Sequence, residues 1–174
     1  MIYQPAEDSY LMQKALKENI KDINLKVLEV GAGSGINLQT LKDLGVKNIQ
    51  ASDIDKEAVE HCKTLGFNCI QSDLFENISG KFDLILFNPP YLPYDKREPE
   101  DSQLQTTAGK KPNEIILKFL EQAKEHLEEK GKIFLITSSL AENLDFKELG
   151  YQEKQLDSEK LFMEQLIVWE LIED

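Results

Sequence analysis

The run Asn88-Pro89-Pro90-Tyr91 carries the most specific chemistry in the chain, and it follows directly on the apolar stretch Phe82 to Phe87. A planar amino or amide group presents two N–H donors in one plane. The Asn88 side-chain oxygen and the Pro89 carbonyl can each accept one of them, which pins the nitrogen and favours a more pyramidal, more nucleophilic lone pair. The prolines hold these two acceptors still. Each fixes its own φ and pushes the residue before it toward extended geometry, so Pro90 restrains Pro89 and Pro89 restrains Asn88. Tyr91 adds an aromatic face on which a planar amide or base can stack. The plain alternative is a Pro-Pro turn that ends a strand beside an aromatic, and context must decide between the two.

The context lies upstream. In Leu28-Glu29-Val30-Gly31-Ala32-Gly33-Ser34-Gly35 a short apolar run breaks into alternating glycines before a helical pattern begins. Glycines at a strand-to-helix turn let a ligand approach the main chain. Their spacing departs from the dinucleotide fingerprint, and no Walker lysine follows. Two acids sharpen the reading. Asp53 closes a second strand pattern about twenty residues on, where a carboxylate can accept from both hydroxyls of a ribose. Asp73 closes a third, placed to meet an adenine amino group. Either acid alone could be a cap or turn former. Together, each at a strand end beside the glycine turn, they favour a nucleoside ligand. Asp55 reads instead as a helix N-cap.

With both motifs in view, the chain resembles the amino-methyltransferases, which join such a glycine turn to Asn-Pro-Pro-Tyr. Tyr3-Gln4-Pro5-Ala6-Glu7-Asp8-Ser9 is similar to the opening of the HemK-like glutamine methyltransferases of the archaeal and eukaryotic branch, which modify class I translation release factors. The resemblance runs from Tyr3 to the C-terminal hairpin. It implies a Rossmann-like class I methyltransferase fold, S-adenosylmethionine as cofactor and S-adenosylhomocysteine as product. It implies transfer to the side-chain nitrogen N5 of the glutamine in the Gly-Gly-Gln loop of a class I release factor. Asn88, Pro89, Pro90 and Tyr91 would be catalytic, while Ser9, Glu29, Gly31, Gly33, Asp53, Asp73, Leu74 and Asn88 would line the cofactor, with no metal involved. Ser9 stands where threonine is usual and keeps the hydroxyl; Pro5 and Ala6 would lie over the methionine end. A small zinc-binding activator subunit would pair along the edge strand Phe67 to Gln71. One stretch departs from the pattern: Gln105-Thr106-Thr107-Ala108-Gly109-Lys110-Lys111-Pro112 has one glycine and no tryptophan where relatives carry a glycine-rich run, so the acceptor contacts of the loop from Asp95 to Pro112 stay open.

Other readings compete on the same residues. An exocyclic amino group of RNA or DNA (adenine N6 or guanine N2) has the planar geometry too. Protein lysine methylation is conceivable, though an ammonium does not need paired acceptors. A cofactor-binding scaffold without catalysis would have no use for an intact Asn88-Pro89-Pro90-Tyr91.

The elements that must position these residues alternate. Strand patterns cover Lys26 to Val30, Asn48 to Ser52, Phe67 to Gln71, Phe82 to Phe87 and Ile133 to Thr137. Helical patterns cover Ser9 to Ile20, Ile36 to Leu44 (stopped by Gly45), Asp55 to Leu65 (stopped by Gly66) and Glu114 to Glu129. Tyr151 to Leu156 and Gln165 to Leu171 form two more strands, joined by a turn around Asp157-Ser158-Glu159, which makes an antiparallel hairpin at one edge. The expectation is a seven-stranded, mostly parallel sheet with helices on both faces. A single methyltransferase domain is expected over 1–174, with a short N-terminal helical segment over about 1–22.

Bulk properties narrow the partners. The chain has 174 residues, of which 41% are hydrophobic and 30% charged, a size that supports one continuous core. Acids outnumber bases 32 to 20, for a net charge of -12, which argues against tight binding to a nucleic-acid backbone. The densest cationic pieces are Lys96-Arg97 and Lys110-Lys111. No signal-like or membrane-length apolar segment is present, so the expected location is cytoplasmic and no membrane is a partner. Cys62 and Cys69 have neither metal-ligand nor disulfide-framework spacing and read as buried thiols. His61 and His126 read as surface residues, and Glu121, Glu125, Glu128 and Glu129 as a solvated helix face.

Overall fold

The computed structural model describes residues 5–90, 113–140 and 144–174. Tyr3, Gln4, Tyr91, the two cationic pairs and the loop from Asp95 to Pro112 lie outside the described residues.

Seven strands form one sheet: β1 (Lys26–Val30), β2 (Asn48–Asp53), β3 (Asn68–Gln71), β4 (Phe82–Phe87), β5 (Leu127–Ser138), β6 (Tyr151–Lys160) and β7 (Gln165–Glu173). Their order across the sheet is β3-β2-β1-β4-β5-β7-β6. The pairings β1 with β2, β2 with β3, β1 with β4 and β4 with β5 are parallel. β7 then inserts antiparallel between β5 and β6, the edge hairpin that the sequence predicts. The helices are α1 (Glu7–Asn19), α2 (Ile36–Asp43), α3 (Lys56–Thr64) and α4 (Glu114–Ala123).

β4 is apolar at nearly every position because both its faces are covered, as in buried parallel sheets. Leu84 and Leu86 join the core beneath α1, with Met12, Leu16, Leu41, Phe134 and Val168. Ile85 and Phe87 point the other way, into the core beneath α4, with Phe75, Ile116, Phe119 and Leu120. In α4, Ile116, Phe119, Leu120 and Ala123 fall on one face and are buried. The Phe119 ring stacks on Phe87 with centroids 4.3 Å apart. Tyr151, fully buried, sends its hydroxyl 2.6 Å to the Leu120 carbonyl and so ties the helix to the edge hairpin.

Two expectations fail. The helix expected to run to Glu129 ends at Ala123, and a 3-10 turn, Lys124–His126, leads into β5 at Leu127. Leu127 lies four residues after Ala123, so helical spacing reads through it, but its partner is Phe82 across the sheet. Glu128 and Glu129 are therefore strand residues. The second miss is the hairpin turn. β6 continues through Asp157-Ser158-Glu159 to Lys160, with a register shift between Gln155 and Asp157, and the turn closes where the Leu161 N–H meets the Glu164 carbonyl at 2.7 Å. An edge strand with one exposed face tolerates turn-forming polar residues. The tip itself carries Phe162 and Met163, 100% and 79% exposed, the reverse of the usual polarity.

No helix among the described residues is long and apolar enough to cross a membrane.

Phe119→Ala should cost about 3–5 kcal/mol, since a fully buried ring shared between Phe75 and Phe87 leaves a cavity that the sheet cannot collapse to fill. Denaturant unfolding checks this: the midpoint should fall with the slope unchanged.

Candidate active site

The chain runs outward from β1 to β2 and β3, then returns to lay β4 on the other side of β1. Ligand crevices of open α/β sheets form where the order reverses in this way, at the carboxyl ends of the strands. Val30 pairs with Phe87, so the glycine turn after β1 and Asn88 after β4 start side by side.

Gly31 has φ 71°, and an added Cβ would sit 3.7 Å from the Phe87 ring. Gly35, the residue before α2, has φ 74°, and a Cβ there would stand 3.1 Å from Leu65 and 3.4 Å from Cys62. The positive φ at both positions strains any ordinary side chain, and at Gly35 the Leu65 side chain would also have to give way. Asp53 organises the turn from outside it. One carboxylate oxygen accepts from the Gly33 N–H and the other from the Asp55 N–H, each at 2.8 Å. Burial outweighs these two donors and holds the Asp53 carboxyl above the usual carboxylate range. Asp55 caps α3 through the Glu57 N–H at 2.8 Å, as its sequence position predicts.

One cavity brings the sequence-predicted residues together. Ser9, Glu29, Gly31, Gly33, Asp53, Asp73, Leu74, Asn88, Pro89 and Pro90 all line it. Ser9 is buried at the start of α1, whereas Asp73 is half-exposed, with Lys118 of α4 at 3.4 Å. Leu74 takes φ 49°, a left-handed conformation rare for a residue with a side chain, and it is held there by Ser72. The Ser72 hydroxyl donates to the Leu74 carbonyl and accepts from the Asn77 N–H, both at 3.0 Å.

Glu29 is buried at the end of β1. One oxygen accepts from the Asn37 amide at 2.8 Å, and the other has no hydrogen-bond partner among the described residues. Burial, reinforced by the neighbouring Cys62 and Asp53 and only partly offset by Asn37, pushes its carboxyl up to about 8. Three buried oxygens on the cavity lining thus lack a donor among the described residues: Glu29 Oε2, Asn37 Oδ1 and Asn88 Oδ1. A ligand rich in N–H, O–H or cationic groups fits such a wall.

Sequence reading missed part of this lining. Asn37 sits in the first turn of α2, buried where an amphipathic pattern would assign no role. Phe87 and Ile115 supply apolar wall. Asp8, buried at 3% exposure, is the more consequential omission, because it reaches Asn88 directly: the Asn88 amide nitrogen stands 2.9 Å from Asp8 Oδ2. Its position beside Ser9 was the available signal. Cys62 and Cys69 are buried thiols, as expected, and Cys62 underlies the Gly33 carbonyl at 3.7 Å. His126 is half-buried, stacked on Phe75 with centroids 4.7 Å apart.

The methyltransferase small domain family matches residues 7–153. The chain belongs to this family. A Methanocaldococcus jannaschii protein assigned as a protein N5-glutamine methyltransferase is 36% identical over 96% of this chain and 89% of its own length. The release factor glutamine methyltransferase of Lactococcus lactis is 32% identical over 86% of this chain, which spans only 56% of that protein. Among solved structures, the Mtq2-Trm112 complex of E. cuniculi, responsible for methylation of the eRF1 translation termination factor, gives a TM-score of 0.73 at 23% identity, with 99% of both chains covered. The methyltransferase fold expected from the sequence is therefore present, and the chain is an S-adenosylmethionine-dependent N-methyltransferase. The cofactor carries an ammonium and a sulfonium as well as ribose hydroxyls, which suits the donor-poor, acidic wall.

Glu29 makes the site pH-sensitive. Its carboxyl is raised on folding, so its contribution to stability is intact below the ordinary carboxylate range and lost as pH rises toward 8, by at most about 1.4 kcal/mol per unit. Glu29→Gln should therefore melt higher than wild type at pH 8 and above, with the gap closing toward pH 4, while binding S-adenosylhomocysteine more weakly. Thermal melts across pH and calorimetric titration measure the two effects separately.

Proposed function

We propose that this enzyme transfers a methyl group to the side-chain amide nitrogen N5 of a glutamine in a protein, the Gly-Gly-Gln loop of a class I translation release factor. The observation that carries the reading is Asn88: its oxygen is buried, without a partner among the described residues, at the carboxyl end of β4 and on the wall of the cavity. An acceptor there needs a donor, and a primary amide has two. The names of the two relatives, about a third identical to this chain where they align with it, supply the choice of glutamine.

S-adenosylmethionine supplies an electrophilic methyl group on a positively charged sulfur. Everything else falls to the chain. Amide nitrogen is a weak nucleophile because its lone pair is shared with the carbonyl. Asn88 Oδ1 and the Pro89 carbonyl would each accept one N–H, fixing the nitrogen on the transfer axis and favouring a pyramidal lone pair. Pro89 and Pro90 keep both acceptors in place. Tyr91 would stack on the amide plane. Ser9, Glu29, Gly31, Gly33, Asp53, Asp73 and Leu74 would hold the cofactor, with Asp53 on the ribose and Asp73 toward the adenine. No general base is required, since the methylated nitrogen sheds its proton readily.

A small partner subunit at β3 belongs to the same reading. Among the described residues β3 is the terminal strand of the sheet, paired on one side with β2. Phe67 and Cys69 turn inward under α3, so the surface left for a partner is the strand's own edge, which would be covered by strand addition.

The test is labelled methyl transfer from S-adenosylmethionine to a class I release factor, with and without a zinc-binding activator subunit. A Gln→Ala factor, tRNA and DNA serve as controls. Label confined to the intact glutamine is the expected result, whereas label on tRNA or DNA would move the activity to nucleic-acid amino groups. Asn88→Ala should lower kcat by about 10²–10³, in line with removal of one transition-state hydrogen bond, and leave the protein folded, as circular dichroism would check.

A further inference from the structure

We propose that Asp8 is a positioning residue for methyl transfer, acting through Asn88 to decide which end of the catalytic amide faces the acceptor. The inference rests on the reading of Asn88 as a hydrogen-bond acceptor for the substrate amide. A primary amide is nearly symmetric in shape, and rotating the Asn88 side chain by half a turn about its last bond exchanges oxygen for nitrogen. One orientation offers the acceptor nitrogen a lone pair. The other offers it two N–H groups, which would repel the very donors that must be held.

Packing cannot choose between these orientations, but charge can. Asp8 lies in the first turn of α1, buried, and its two oxygens have separate duties. Oδ1 takes the backbone N–H of Ser9 at 2.6 Å and lies 3.3 Å from the Ser9 hydroxyl. Oδ2 lies 2.9 Å from the Asn88 side-chain nitrogen. An ionised carboxylate accepts hydrogen bonds and donates none, so only the Asn88 NH2 can face it. Asn88 Oδ1 is thereby turned away from Asp8, and it is the atom left buried without a partner among the described residues. Holding that oxygen unpaired is unfavourable by itself, and the charged bond on the opposite side of the amide offsets it. The N-terminal helix thus reaches across the site to orient a side chain at the end of β4, eighty residues along the chain.

Asp8→Asn removes the bias while keeping volume and hydrogen-bonding capacity, because two amides can pair in either sense. Its kcat should fall on the order of ten-fold, the ratio expected when a charged hydrogen bond gives way to a neutral one. The affinity for S-adenosylhomocysteine and the KM for the acceptor should each stay within about two-fold. Glu7→Gln, which removes the neighbouring exposed charge from the same first turn, should leave kcat unchanged and so controls for the helix dipole. A kcat within about two-fold of wild type, or a loss matched by cofactor affinity, would overturn the proposal. The side-chain NH2 resonances of Asn88, identified by their disappearance in Asn88→Ala, give a readout that needs neither substrate nor a folded Asp8 variant. In the wild-type protein they should be shifted downfield and slow to exchange, as for donation to a charged acceptor; solvent-like resonances would sink the idea. If wild-type enzyme fails to methylate the release factor while these resonances behave as expected, the acceptor assignment fails and the orienting role of Asp8 stands.

Discussion

Val30 and Phe87 lie side by side in parallel register, although two helices and two strands separate them along the chain. That pairing is the constraint on which the rest of the molecule hangs. It brings the end of β1, where glycines give backbone access to a ligand, against the end of β4, where two prolines stiffen a pair of hydrogen-bond acceptors. A donor bound at the first site and an acceptor held at the second must then meet within a few ångströms. The register is well defended. β4 buries side chains into both cores, so a slip of one residue would exchange Leu84 and Leu86 for Ile85 and Phe87 on opposite faces and would swing Asn88 away from the cavity.

Around this junction the chain gathers acids rather than bases. Glu29 and Asp53 are buried within one cavity wall, and Asp73 stands at its rim. Burying carboxylates without cations is unfavourable, and the raised Glu29 and Asp53 show the strain that results. Such an arrangement makes sense for a ligand that brings its own positive charge. A sulfonium cofactor held there would offset the cost of burying these acids, and its product, which has lost the sulfonium charge, would offset less of it. The unfavourable electrostatics of the empty wall and the preference for a charged donor are one property.

Much of this could be read in the sequence, for definite reasons. β1 and β4 were legible because a strand covered on both faces must be apolar throughout, and the glycine or proline that follows must end it. The glycine turn, Asp53, Asp73 and Asn88 were legible because each closes a strand, and strand ends in a parallel sheet converge. What escaped had weaker local signals. The end of α4 was misplaced because Leu127 happens to keep helical phase while its actual partner, Phe82, is distant in sequence. The hairpin turn was misplaced because Asp157-Ser158-Glu159 has turn chemistry, and Asp157 is instead fixed by Lys14 of α1 at 2.7 Å. Asp8 and Asn37 escaped for the same reason as each other: their partners, Asn88 and Glu29, are supplied by the fold and not by their neighbours in the chain.

The fold by itself does not choose the acceptor. The Thermus thermophilus 16S rRNA N2 G1207 methyltransferase matches this chain with a TM-score of 0.66 at 20% identity, so the same sheet also occurs in an enzyme acting on an exocyclic amino group of RNA. An amide and a nucleobase amine present the same two N–H groups to Asn88, and discrimination has to come from what surrounds them. Two features of this chain bear on it. A net charge of -12 opposes the approach of a phosphate backbone, most strongly at low salt. The cationic pairs Lys96-Arg97 and Lys110-Lys111 both fall in the segment between β4 and α4, together with Asp95, Glu98, Glu100 and Asp101. With four bases and four acids that segment is neutral, against an acidic background. An extended nucleic-acid duplex is poorly matched to that distribution, because its charge would meet far more repulsion than attraction.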